Sequence, residues 1–144
     1  MVSQRKRIWG WYFFDWASQP YNTLLLTFVF GPYFAEVART HFIGTGMDAE
    51  AAGAAAQAYW GWGQTLSGVF IAILAPVLGA IADGSGKRMV WIWLFSMFYV
   101  VGSWMLWYLM PDQPDLFRAM IWFVLGLIGM EFATIFTNSL MPDL

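Results

Sequence analysis

The sequence predicts an all-α membrane protein built on four transmembrane helices, and three observations carry that expectation. Of its 144 residues 60% are hydrophobic and only 11% charged, against about 25% charged in an ordinary soluble domain. Too few polar side chains remain to cover a water-facing surface. Residues 58–82 and 89–110 contain no Asp, Glu, Lys or Arg, and each run reaches the roughly 20 residues that cross a hydrocarbon layer as a helix. Trp and Tyr collect near the ends of the apolar runs, where an aromatic ring is buried while its polar atom stays hydrated.

Taken in order, the spans fall at about 12–37, 57–82, 89–110 and 118–141, and residues 1–144 read as one integral membrane unit. Arg5-Lys6-Arg7 ahead of an apolar stretch has the form of a secretory leader. That stretch runs from about Ile8 to Ala38 and carries Asp15, Gln19 and Asn22. It exceeds the 7–15 residues of a leader's apolar region, so the first span is expected to be retained. The outer connection, Arg39 to Ala56, offers Asp48 as N-cap of an Ala-rich entry into span two, with Glu50 near the positive end of the helix dipole. Glu36 and Arg39 are expected to snorkel to water. Pro111 and Pro114 end span three and frame the start of span four.

The basic residues orient the chain. Arg5, Lys6, Arg7, Lys87 and Arg88 lie on one side, Arg39 and Arg118 on the other. Both termini and the turn from Gly79 to Arg88 are therefore expected in the cytoplasm, with the spans in the plasma (inner) membrane. Trp9, Trp11, Tyr12, Trp91 and Trp93 mark inner span ends, and Trp60, Trp62, Trp104, Trp107, Tyr108 and Trp122 outer ones.

Several function classes drop out. A net charge of -2 leaves no basic face to replace phosphate counterions, which argues against nucleic acid. There is no cysteine, and the single His41 has no carboxylates clustered around it, so neither a metal site nor a cofactor is expected. No Ser/His, His/carboxylate or paired-carboxylate set has workable spacing for an enzyme. Asp83-Gly84-Ser85-Gly86-Lys87 is no phosphate loop, since Ile81 and Arg88 stand where Gly and Ser or Thr are required and no strand precedes it.

Polar residues inside the spans remain. Asp15, Ser18, Gln19 and Asn22 sit at i, i+3, i+4 and i+7 on one helical stripe. Pro20 within it frees a backbone carbonyl about one turn earlier. The stripe reads either as the wall of a solute path or as helix-to-helix hydrogen bonding. Glu131 lies near the middle of span four with Thr134 and Asn138 on its face. A carboxylate there costs roughly 3 kcal/mol unless it is paired or protonated. It suits either reversible proton binding or a structural hydrogen bond from a permanently protonated acid. Gly61, Gln64, Gly68, Ala72, Ala75 and Gly79 give span two a face on which another helix is expected to approach closely, and Pro76 is expected to bend it. Span three, nearly all bulky and aromatic, suits the lipid-facing periphery.

Gly79-x-x-Ala82-Asp83-x-x-Gly86-Lys87-Arg88 resembles the signature turn between the second and third helices of the major facilitator superfamily. Gly84 stands where many members have Arg. Trp9-Gly10-Trp11-Tyr12-Phe13-Phe14-Asp15-Trp16-Ala17-Ser18-Gln19-Pro20-Tyr21, with Phe30-Gly31-Pro32-Tyr33-Phe34, is similar to the first helix of the vacuolar amino-acid effluxer (autophagy-related) branch. Asn138-Ser139-Leu140-Met141-Pro142-Asp143 resembles that branch's fourth-helix end. The resemblance implies the first part of the six-helix amino-terminal half of a transporter with roughly twelve spans, so carboxy-terminal spans are expected to be missing. It makes Gly79, Asp83, Gly86, Lys87 and Arg88 a gating turn latched to the other half.

The expected function is secondary transport of a small polar solute, such as an amino acid, by alternating access. Asp15, Ser18, Gln19, Asn22, Glu131, Thr134 and Asn138 would line the path, with Glu131 available for proton coupling. The expected partners are the lipid bilayer, the solute, and either the missing spans or another copy of the chain. The alternative is a small four-span protein acting as a homo-oligomeric exporter or packing subunit.

Overall fold

The computed structural model describes residues 3–141, with Asp83 and Ser85 described by backbone alone. Its elements are α1 (Gln4–Pro20), a π-helical segment (Tyr21–Phe28), α2 (Phe30–Gly44), α3 (Ala49–Ser85), α4 (Arg88–Met105) with a 3-10 turn at Leu106–Tyr108, and α5 (Leu116–Asn138). Among the described residues three helices are long and apolar enough to cross a membrane: Ala49–Ala82, Arg88–Tyr108 and Leu116–Asn138. The first apolar stretch, expected as one continuous span, is divided into three helical pieces.

The division follows from local chemistry. Pro20 ends α1, and the N–H of Tyr21 turns to the Ser18 carbonyl instead of the one four residues back. Hydrogen bonding then shifts to an i→i−5 pattern, closed by the Val29 N–H donating to the Leu24 carbonyl at 2.7 Å. The hydroxyl of Thr27 donates to the Asn22 carbonyl at 2.9 Å, occupying an acceptor that the wider turn leaves accessible. Val29, at φ -115 and ψ -68, breaks the path before α2. Pro32 falls in the first turn of α2, where a missing N–H costs nothing. Gly31 is required there, because a Cβ would sit 2.5 Å from the Leu26 carbonyl oxygen.

The cap read from the sequence at Asp48 is present, and Asp115 supplies a second that the sequence reading did not name. Asp48 Oδ1 accepts the N–H groups of Glu50 and Ala51 at 3.0 and 2.9 Å, and Asp115 accepts that of Arg118 at 2.9 Å. The turn between α3 and α4 is tighter than its sequence suggests. Residues through Ser85 continue α3, and only Gly86, at φ +63, and Lys87 lie between the helices.

The core divides into two aromatic clusters on α5. At the turn end of the bundle (the end holding Gly86), Phe132, Ala133 and Phe136 pack on Ile92 and Phe95 of α4. At the far end Phe123 meets Phe30 and Phe34 of α2 and Trp60 of α3, with the Trp60 and Phe123 rings 4.3 Å apart. Trp60 is therefore core, not the boundary marker its position suggested, whereas Trp62, Trp104 and Trp107 are exposed. Over their apolar windows α5 is 56% buried, α4 22% and α3 11%, which makes α5 the central helix.

Among the described residues much of the small-residue face of span two meets no other helix, although Ala75 packs against the turn-end cluster. Gly61, Gly68 and Gly79 have open space where a Cβ would go. The face of α3 that packs inward carries Ala52, Ala56, Trp60, Gly63 and Ser67 instead. Helical period alone left two faces of α3 available, and the large ring of Trp60 together with the Met120 contact at Gly63 selects this one. The closest approach lies between α4 and α5, where a Cβ on Gly102 would be 2.6 Å from the Gly126 Cα. Gly129 likewise faces the Phe95 carbonyl and the Tyr99 N–H. Span three, expected at the periphery, is exposed on one side only, its other side closing on α5 through Ile92, Phe95 and Gly102.

Candidate functional site

The site is built where the π segment passes α5. Tyr21, 1% exposed, donates its hydroxyl to the Phe123 carbonyl at 2.8 Å and lies against the bare Cα of Gly126. This anchor places Asn22, the next residue, beside α5. Asn22 Nδ2 approaches Met130 Sδ at 3.8 Å, and the Thr134 hydroxyl approaches the same sulfur at 3.6 Å. A thioether is a weak acceptor, so both donors are held loosely. Two residues of the predicted path, 112 positions apart in sequence, therefore share one partner.

The rest of the two stripes divides. Ser18 is buried and turns its hydroxyl back onto the Asp15 carbonyl at 2.9 Å. Asp15 and Glu131 are half-buried, and among the described residues neither carboxylate has a hydrogen-bond or ion-pair partner. Gln19 lines a shallow groove of about 340 Å³ with Trp16, Ala17, Pro20, Thr23 and Leu24, a wall that contains nothing from α5. Asn138 is exposed at the end of α5. A wider cavity of about 740 Å³, between the π segment, the start of α2 and the end of α4, is lined chiefly by Leu25, Phe30, Tyr33, Trp104 and Trp107, and holds none of the predicted residues. Among the described residues no group of three His, Cys, Asp or Glu side chains is arranged to hold a metal ion.

At the turn end, Arg88 donates from Nη1 to the Ser139 carbonyl at 3.3 Å. That carbonyl lies just past the end of α5, where the helix dipole is negative and a cation is favoured. Gly79 is half-buried, Gly86 forms the left-handed turn, and Lys87 is exposed. Asp83 lies in the last turn of α3, and its side chain is outside the described set.

Sequence reasoning missed Met130, Tyr21 and Tyr99. The Tyr99 hydroxyl donates to the Ala17 carbonyl at 3.5 Å, one of the acceptors released where the helix widens after Pro20. A signal existed for part of this. Gly126, Gly129 and Ala133 form a small-residue stripe on span four that marks the close contact more truly than the stripe on span two.

The profile of the vacuole effluxer Atg22-like family matches residues 3–144. The chain belongs to that family. As an Atg22-like protein with three helices fit to cross a bilayer, it is a membrane protein. It is also 28% identical over 136 residues to an uncharacterized MFS-type transporter, YxiO, of Bacillus subtilis (strain 168). The alignment covers 93% of this chain and 29% of that relative, so the Atg22-like chain spans less than a third of its relative's length. No solved structure matches.

Proposed function

We propose that this Atg22-like chain forms the first part of a secondary transporter that moves a small polar solute, such as an amino acid, by alternating access. The observation that carries the reading is the meeting of Asn22 and Thr134 at Met130, the residue immediately before Glu131. Polar donors from two separate helices converge on a weak, replaceable acceptor inside an apolar bundle. A solute carboxylate or carbonyl would be a better partner for both than a thioether. Membership in the family and the likeness to an MFS-type transporter support the same class.

In this reading Asn22 and Thr134 bind the solute, Asp15, Ser18 and Asn138 line the approach from the turn end, Gln19 stays in its separate groove, and Glu131 carries a proton. Gly79, Asp83, Gly86, Lys87 and Arg88 form the gate, with Arg88 holding the end of α5 in one state and exchanging Ser139 for a partner in the remaining spans in the other. The turn end faces the cytoplasm of the inner membrane. The test is uptake of labelled amino acids by the full-length protein in proteoliposomes across a range of pH. Glu131→Gln is expected to keep uptake and abolish its pH dependence, whereas unchanged pH dependence removes the coupling role. Asn22→Leu with Thr134→Val is expected to lower uptake at least tenfold, and wild-type uptake by that variant removes the binding role.

A further inference from the structure

We infer that Met130 is a specificity-determining residue, a built-in stand-in whose sulfur holds the position that a carboxylate of the solute takes on binding. The inference rests on the transport reading above and adds to it the group by which the solute is recognised and the side chain that sets how tightly.

The surroundings of the sulfur are unusual for a core methionine. Met130 is 2% exposed and belongs to the same cluster as Tyr21, Phe123 and Leu127. A thioether enclosed in such a cluster has only carbon to meet. Here two donors from separate segments reach it, Asn22 Nδ2 at 3.8 Å and the Thr134 hydroxyl at 3.6 Å.

The donors are fixed and the acceptor is not. The Tyr21 hydroxyl, held by the Phe123 carbonyl at 2.8 Å, pins the backbone beside Asn22 to α5. Thr134 is branched at Cβ and has few rotamers within the same helix. Methionine is unbranched and flexible, so the sulfur can withdraw by a rotamer change that moves no backbone.

The chemistry of the sulfur selects what replaces it. A thioether accepts weakly and donates nothing. The replacement must therefore be an acceptor, and a stronger one. A carboxylate offers an oxygen to each donor, and hydrogen bonds to a charged acceptor are roughly twice as strong as neutral ones. An ammonium or a hydrocarbon end cannot take the position. Asn22 and Thr134 thus meet the carboxylate end of the solute, and Met130 sets the threshold, because binding must displace two sulfur contacts.

The experiment is uptake by the full-length protein in proteoliposomes. Each common amino acid is supplied singly in radiolabelled form, and KM is measured for the one taken up fastest. Met130→Leu keeps the volume and removes the acceptor, so the empty site loses contacts that the occupied site does not have. A neutral hydrogen bond is worth about threefold to tenfold in affinity, and for two weak ones KM is expected to fall by about threefold or more. A packing fault raises KM or lowers the maximal rate and does not lower KM. Met130→Gln, whose amide oxygen accepts more strongly than sulfur, is expected to raise KM. In an Asn22→Leu background, which lacks one of the donors, Met130→Leu is expected to change KM by less than about twofold. The amine left by removing that amino acid's carboxylate is expected to compete at least about tenfold less well than the amino acid itself.

An unchanged or raised KM in Met130→Leu overturns the stand-in. So does a fall of the same size in the Asn22→Leu background, or equal competition by the amine. In each of these cases uptake by the wild type leaves the transport reading in place. Uptake of no amino acid removes the transport reading and the stand-in with it. If Met130→Gln does not fold, Met130→Leu with and without Asn22→Leu decides.

Discussion

The contact between α4 and α5 offers the sharpest test of the packing, because one substitution should have opposite effects at two places. Gly102→Ala adds a methyl whose carbon would lie 2.6 Å from the Gly126 Cα, 2.7 Å from its nitrogen and 2.8 Å from the Trp122 carbonyl oxygen. All three are backbone atoms that cannot rotate away. Non-bonded carbons rest at about 3.5–4.0 Å, so the helices must part by about 1 Å. A gap of that size forfeits a quarter to a half of each dispersion contact along the seam. Overpacking of this kind costs about 1–3 kcal/mol, only partly offset by a gain of up to about 1 kcal/mol from replacing a helical glycine. Gly68→Ala on α3 meets nothing within 4 Å and keeps the gain alone. Thermal unfolding in detergent, followed by tryptophan fluorescence, is expected to show Gly102→Ala less stable than wild type by about 1–2 kcal/mol and Gly68→Ala equal or slightly more stable. If Gly102→Ala matches wild type, or Gly68→Ala is the damaging change, the seam is not where we place it.

Other consequences can be checked in the same preparation. Tyr21→Phe removes a buried donor while Phe123 keeps its place in the helix, and is expected to cost about 1 kcal/mol; a wild-type melt contradicts the anchor. Asp48→Ala strips the cap from α3 and is expected to cost about 1 kcal/mol, read as faster amide exchange at Glu50 and Ala51. Arg39→Gln breaks an exposed pair with Glu36 at 3.4 Å and is expected to change stability by less than about 0.5 kcal/mol, so a large loss in the melt would reveal a further partner. Arg88→Gln removes the donor to Ser139 and is expected to raise amide exchange in the last turn of α5 while leaving its centre protected.

What the sequence made legible was set by one-dimensional signals. Charge-free length located α3 and α4, apolar content located α5 despite Arg118 and Glu131, and Asp48 ahead of an Ala-rich run was legible as a cap, whereas the cap at Asp115 was not read. Pro20 reads in the sequence as freeing a carbonyl one turn earlier, which is that of Trp16; the carbonyl that takes a side-chain donor is that of Ala17, because the Tyr21 N–H turns to Ser18 instead. The consequence of Pro20, eight residues of π-helix, was not legible, because the choice between a kink and a widened turn depends on Tyr21 finding the Phe123 carbonyl across the bundle. The same limit explains Trp60. An indole near a span end is interfacial by default, and only the facing rings of Phe34 and Phe123 make it core. The polar stripes were visible as stripes, but helical period cannot say which neighbour a stripe meets. Asn22 and Thr134 therefore come together while Gln19 turns to a separate groove.

Backbone irregularity inside a bilayer is tolerated only where protein or water satisfies the released groups, since lipid offers no partner. The first apolar stretch meets that condition with its own chain. The Ala17 carbonyl takes the Tyr99 hydroxyl, the Asn22 carbonyl takes Thr27, and the Asp15 carbonyl takes Ser18. These three acceptors take hydroxyls, donors that can be given up and regained within a single rotamer change, while the Ser18 and Leu24 carbonyls take the N–H groups of Tyr21 and Val29. A stretch meant only to hold the bundle in the membrane would do so at lower cost as an unbroken helix, as α4 and α5 do. The break therefore has a use beyond anchorage: it sets Tyr21 and Asn22 against the central helix, where the Phe123 carbonyl and the Met130 sulfur meet them.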